Sequence, residues 1–232
     1  MIRLLILTLA LLFLVTSCSK DKDVEELCRT TEDENTGGSG SDSNTNFSFP
    51  NAAGTYWVYD YFKVDSLENR TPAFERDTVW LLGNTIVEGV VYQQYSNLHM
   101  LTSGISLRRE TFGNVVDENG TVIYSTDMFN VEFSQDSVEY LQNEYLLFHS
   151  IMKDETNLTL NVPYGNFNCI NRETVFYYPD FSVLSLCGDT EIVMDYYLAD
   201  GIGEVKQTIT FVNMFTEDCA YFERVLVDFY QP

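Results

Sequence analysis

From Phe47 onward, apolar side chains recur at alternate positions more often than at every third or fourth, which is the period of a strand and not of a helix. Thr55–Val64 is aromatic and β-branched, the composition that suits a pleated, half-buried surface. Asp77–Leu82 and Val90–Tyr95 repeat the pattern, with Gly83 and Gly89 read as turn residues. Ile105–Phe112 and Val115–Val116 follow, and Asn119-Gly120 marks a hairpin within Asp117–Tyr124. Further strands are predicted at Leu158–Val162, Cys169–Tyr178, Ile192–Leu198, Val205–Val212 and Tyr221–Tyr230. Turn signals arrive about every ten residues, the rhythm of sandwiches and barrels. The prediction is therefore an all-β fold: one antiparallel β domain over 47–232, a half-open barrel or a sandwich. Ser137–Ser150 is ambiguous, because Val138, Leu141, Tyr145 and Phe148 fit a helical face while Tyr140-Leu141 and Leu146–Phe148 equally suit short strands.

Before Phe47 the pattern is different. Thr30–Asn46 has no apolar side chain, so burial cannot offset its ordering entropy and a flexible spacer is expected over 18–46. A chain of this kind reaches about 30 Å. Met1-Ile2-Arg3 precedes an apolar run from Leu4 to Val15, too short for a membrane span of about 20 residues but suited to a signal peptide over 1–17. The run closes on Leu14-Val15-Thr16-Ser17-Cys18, which resembles the lipobox of bacterial lipoproteins. That resemblance implies diacylation of the Cys18 thiol and cleavage before it, with anchoring to the lipid bilayer through the acylated (palmitate-type) cysteine. Ser19-Lys20-Asp21-Lys22-Asp23 with Glu25-Glu26 is similar to the surface-export signal of lipoproteins in one Gram-negative phylum. The implied address is the bacterial outer membrane, lipid-anchored and facing the cell surface.

Charge narrows the partners. Thirty-five acids against 13 bases give a net charge of -22, the wrong sign for nucleic acid or for adsorption to an anionic membrane by charge. A hydrophobic content of 45% and an aromatic content of 14% exclude global disorder.

Two segments carry a family resemblance. Pro50-Asn51-Ala52-Ala53-Gly54-Thr55-Tyr56-Trp57-Val58-Tyr59 looks like the opening strand of a widespread group of envelope lipoproteins of unassigned function. Tyr196-Tyr197-Leu198-Ala199-Asp200-Gly201-Ile202-Gly203-Glu204-Val205-Lys206 looks like a hairpin of the same group, which includes the TapB-like proteins and is related to the half-open β-barrel of LolA and LolB. The resemblance implies an apolar concavity that shelters acyl chains. Physically, Gly201 and Gly203 point to a tight turn or a close backbone approach between aromatic strands.

Little material for catalysis is present. His99 and His149 form no metal-ligand pair, and no nucleophile elbow or phosphate cradle occurs, so no catalytic residue, metal or cofactor is predicted. The acids include carboxylate pairs that would suit a hydrolase, but nothing local selects one. Arg108-Arg109, a basic doublet in an acidic body, reads as charge balance for Glu110 or as an anion-reading patch. With Cys18 lipidated, Cys28, Cys169, Cys187 and Cys219 allow two disulfides in three connectivities. Cys169 and Cys187 bracket a strand and a loop, so their pairing is the easiest geometrically and leaves Cys28 for Cys219. Asp65-Ser66-Leu67, Asp77-Thr78-Val79 and Asp136-Ser137-Val138 resemble acceptors of periplasmic O-glycosylation.

The expected function is a non-enzymatic binding module whose aromatic side chains hold an apolar or glycan ligand, with Tyr56, Trp57, Tyr59, Trp80, Tyr196 and Tyr197 as lining candidates. The alternative is a structural protein that docks another envelope protein through a filled β domain. Core packing is a competing role for every one of these aromatics.

Overall fold

The computed structural model describes residues 47–96, 104–141, 144–182, 184–187, 190–191, 193–209 and 220–232. Among them every regular element is a β-strand. In chain order these are β1 (Tyr56–Val64), β2 (Arg70–Pro72), β3 (Asp77–Val87), β4 (Val90–Ser96), β5 (Ile105–Thr111), β6 (Asn114–Val116), β7 (Val122–Ser125) and β8 (Glu132–Leu141). They continue with β9 (Glu144–Val162), β10 (Gly165–Tyr177), β11 (Ser185–Cys187), β12 (Thr190–Glu191), β13 (Val193–Ala199), β14 (Gly203–Ile209) and β15 (Tyr221–Tyr230).

One antiparallel sheet dominates, in the order β7-β6-β5-β4-β3-β1-β15-β14-β13-β10-β9-β8, with β2 on β1 and a separate β11–β12 pair. Most neighbours are consecutive in sequence. The β3–β1 pair skips only β2 and the β13–β10 pair only β11 and β12, whereas the long-range pairing of β1 with β15 joins the two halves of the chain at the middle of the sheet. The sheet is not closed, since its end strands β7 and β8 are not paired. It is nevertheless curled: Val115 and Tyr124 from one end pack in one cluster with Met152 and Leu198 from the other. The chain passing from β7 to β8 runs along β9, where Asn130 N–H donates to Met152 O at 2.7 Å.

The strand predictions agree with this architecture, and the differences have physical reasons. Gly83 is not a turn residue. It sits inside β3 at a register shift between Leu81 and Gly83, with φ of 126°, so it marks a bulge. The ambiguous Ser137–Ser150 segment is two strands, with Val138 opposite Leu146, because Leu146 is buried against Phe176 and Leu184 instead of stacking along a helix face. Leu158–Val162 is the far end of a long hairpin strand. That end reaches across the sheet: Tyr164 N–H donates to Leu226 O at 3.2 Å, and Leu158, Leu160 and Phe167 pack with Val205, Val225 and Leu226.

Candidate functional site

Alternation along β1 sends its aromatics to two faces. Trp57, Tyr59 and Tyr61 are buried at 5%, 3% and 3% exposure, while Tyr56, Val58 and Asp60 between them are half-exposed. The inner residues are fixed by polar tips as well as by packing. Trp57 Nε1–H donates to Ile202 O at 2.7 Å, and the Tyr59 hydroxyl donates to Glu204 O at 2.9 Å. Both acceptors lie on the Gly201–Val205 hairpin. Gly203 has φ of 88°, and a side chain there would meet the Phe49 ring at 3.6 Å, so the hairpin approaches Phe49 and Trp57 closely.

Beneath this layer is a chamber of about 30 Å³, room for about one water molecule. Its walls include Trp57, Tyr59, Tyr95, Tyr124, Arg108, Glu204 and Arg224, with Phe49 and Pro50 at one side. Arg224 is 1% exposed; its guanidinium lies 3.9 Å from the Tyr59 ring centroid and reaches Glu204 at 3.2 Å and Asp77 at 3.3 Å. A buried cation with two carboxylates and an aromatic face recovers much of its desolvation cost. Arg108 lies 5.3 Å from the Tyr124 ring centroid and Arg172 5.6 Å from the same centroid, while Arg172 also sits 4.7 Å over Tyr196 and donates to Ser150 Oγ at 3.0 Å. Burial raises the tyrosine pKa values: those of Tyr95 and Tyr196 are each pushed up to about 12, and those of Tyr59 and Tyr124 move in the same direction. These phenols stay protonated and serve as donors at neutral pH.

The outer face is differently built. Register places Trp80 and Tyr230 on either side of Tyr56, with ring centroids 4.9 Å and 5.5 Å from it. Trp80 is 42% and Tyr230 49% exposed. Along the same face follow Thr78 and Asp228 beside Val58, and then Asp60, which takes a bidentate bond from Arg76 at 2.7 and 2.9 Å. The face thus passes from stacked rings to hydroxyl, carboxylate and guanidinium groups within two steps of the pleat.

The six predicted lining residues therefore separate. Tyr56 and Trp80 meet on the outer surface, joined by Tyr230, which sequence reasoning did not select. Trp57 and Tyr59 belong to the core cluster and the chamber wall. Tyr196 lies under Arg172, and Tyr197 packs on that core with Lys206 5.7 Å from its ring centroid. The Arg108-Arg109 doublet is split by the pleat: Arg108 stacks near Tyr124 and Arg109 over Tyr92 at 5.7 Å, so neither is spent on Glu110. Arg224, Glu204, Tyr124 and Arg172 went unselected. The available signal was Glu223-Arg224 inside the apolar run Tyr221–Tyr230, since charge within a buried strand needs a partner.

Cys169 is a free, buried thiol whose S–H points to Phe167 O at 3.6 Å, and burial pushes its pKa up to about 11. The expected bond to Cys187 is therefore not formed at Cys169. The side chain of Cys187, and Cys28 and Cys219 altogether, lie outside the described residues, as do Cys18, the tether and His99. His149 is in mid-strand, with Tyr177 Oη 3.2 Å from its Nε2. Among the described residues no three His, Cys, Asp or Glu side chains converge on a common point, and no helix is long and apolar enough to cross a membrane.

No protein-family model matches the chain, and neither does any curated protein. Among solved structures it is similar to a protein of Bacteroides fragilis designated an exported protein with a YmcC-like fold. The two share 13% identity at a TM-score of 0.42, over 80% of this chain and 99% of the other.

Proposed function

We propose that this protein is a lipid-anchored envelope lipoprotein, displayed at the bacterial outer membrane through Cys18, which binds a glycan on the outer face of β3, β1 and β15 without chemically altering it. One observation carries the ligand class: three neighbouring rings, Tyr56, Trp80 and Tyr230, stand half-exposed beside Thr78, Asp228, Asp60 and Arg76. Sugar rings present C–H faces to aromatics and hydroxyls to carboxylates and guanidinium groups, so a face of this composition offers both kinds of contact. The apolar ligand receives less support, because the chamber beneath has room for about one water and is lined by guanidinium groups.

Affinity electrophoresis of the mature chain through gels containing dextran, xylan or polygalacturonate tests the reading. Retardation by at least one polysaccharide is expected, and it should disappear in the Trp80→Ala, Tyr230→Ala double variant while the melting temperature stays close to that of the parent. Retardation that survives in the double variant would remove the glycan face. No retardation by any of the three, together with co-purification of one envelope protein that the double variant abolishes, would establish docking instead. The anchor has its own check: an alkyne-tagged palmitate fed to producing cells should label the parent and not Cys18→Ser.

A further inference from the structure

The chamber wall holds a cation that the outer-face reading does not use. Arg108, Arg224 and Glu204 line it, and Arg224 is engaged by Glu204 and by Asp77, while Arg172 approaches Tyr124 without lining the chamber. Both carboxylates are thus taken up by Arg224, and Arg108 has none of its own in a chain whose net charge is -22. Among the described residues no carboxylate lies within ion-pair distance of Arg108 or Arg172, and the Nε of each is buried without a hydrogen-bond partner. Leaving such donors unsatisfied costs about 1–3 kcal/mol each.

Donors converge on the same space. Of the chamber phenols, Tyr59 gives its proton to Glu204 O and Tyr95 gives its proton to Gln93 Oε1 at 2.9 Å. The Tyr124 hydroxyl has no hydrogen-bond acceptor among the described residues, and burial keeps its proton in place. With the unpartnered Arg108 Nε–H it makes a pair of donors without an acceptor there.

The segment 47–50 closes the chamber on one side. Phe49 stacks on Tyr124 at 5.7 Å and 20°, and Phe47 packs edge-on against Phe49 at 5.0 Å. Ser48 N–H and Oγ–H both donate to Asp200 Oδ1, at 2.8 and 3.0 Å, and Gly201 N–H donates back to Ser48 O at 3.0 Å. Phe47 and Phe49 also pack on the cluster of Val115, Tyr124, Met152 and Leu198, so the strap is held at the β13–β14 turn and on that cluster.

We infer that the chamber is a binding site for an anionic oxygen group, a carboxylate or a phosphate, received by Arg108 and Tyr124, and that residues 47–50 are its lid. Arg224 holds Glu204 at 3.2 Å, which offsets part of the charge that Glu204 presents to the Tyr124 hydroxyl. In the closed form the chamber has room for about one water, so entry requires Phe49 to leave the Tyr124 ring. The site is independent of the glycan face and stands or falls by other residues.

The test titrates the full mature chain, as Cys18→Ser to keep it soluble, with sodium acetate and separately with sodium phosphate, at ionic strength matched by sodium chloride. Nitrogen-15 spectra of the arginine Nε–H groups report the site directly. The expected result is a saturable shift of the Arg108 resonance, a loss of affinity of about tenfold or more in Arg108→Gln, and a gain of about tenfold in Phe49→Ala as the lid weakens. Arg108→Lys keeps the charge and loses the planar fork, so it separates binding from folding and should also bind more weakly. A stronger acetate response identifies a carboxylate ligand such as a sugar acid; a stronger phosphate response identifies a phosphorylated one. No saturable Arg108 shift with either anion, or one unchanged in Phe49→Ala and matched by sodium chloride alone, overturns the proposal.

Discussion

Two faces of one strand divide the work of this domain. On β1 the odd-numbered aromatics Trp57, Tyr59 and Tyr61 are buried and hydrogen-bonded, with Tyr59 and Tyr61 against Arg224, while the even-numbered Tyr56 stacks in the open with Trp80 and Tyr230. Both faces are aromatic and both carry charge. The inner aromatics of β1 satisfy their polar tips within the protein, and each of these rings is already committed to packing. The outer face leaves ring edges, hydroxyls and carboxylates to solvent. Aromatic richness alone therefore does not mark a binding surface; the side of the pleat on which the ring falls does.

The comparison breaks most severely at Arg224. Arg224→Ala strands Glu204 and Asp77 beside a buried hole, and an unfolding free-energy loss of about 3–5 kcal/mol is expected, read by urea denaturation. Restoring charge balance with Glu204→Gln in the same chain should recover part of that loss; no recovery would mean that packing and not charge holds this position.

Next come the two tryptophans, which test the faces against each other. Trp57→Ala should cost about 3–5 kcal/mol, since a core ring and its bond to Ile202 O are both lost. Trp80→Ala should cost about 0.5–1 kcal/mol, the worth of a cross-strand aromatic pair. Equal costs in a denaturation series would erase the distinction between the faces.

A pH titration sharpens the inner face as a group. The raised phenols keep their protons in the native state, whereas the unfolded chain releases them near the ordinary value of about 10. The stability they confer is complete below that pH and is lost as pH climbs towards about 12, the value at Tyr95 and Tyr196. Part of the phenolate absorbance should accordingly appear only together with loss of the β-sheet circular dichroism signal. If all of it develops while the sheet remains intact, the inner tyrosines are not sequestered.

The smallest effect is expected at Cys169, whose pKa is pushed up to about 11 by burial. Native protein should react slowly with iodoacetamide at about pH 8, and urea should release full reactivity. Protection that persists in urea until a reductant is added would reveal a bond at this thiol.

Much of the fold was legible because strand periodicity is a local property. Ten residues of alternating pattern suffice to place β1, β10 or β15 to within a few positions, and Asn119-Gly120 announces its own turn. Ser137–Ser150 resisted because its apolar spacing satisfies two periods, and burial of Leu146 against Phe176 and Leu184 settled it. The candidate sites were less legible. Tyr56 and Trp80 were found as aromatics on predicted strands, but so were Trp57 and Tyr59, which turned inward.

The chain by itself determined the all-β character, the places of most strands, the polar tether and the acidic balance, because each follows from composition and short-range pattern. Only the tertiary structure decided which face of each strand is wet, which arginines meet which tyrosines, and that β1 pairs with β15. Those outcomes depend on contacts such as Arg224 with Asp77 and Trp57 with Ile202, between residues about 150 positions apart. A guanidinium in a strand sequence looks the same whether it will face water or a buried ring, and only the curl of the sheet, which brings Tyr124 beside Arg172, fixes which it meets.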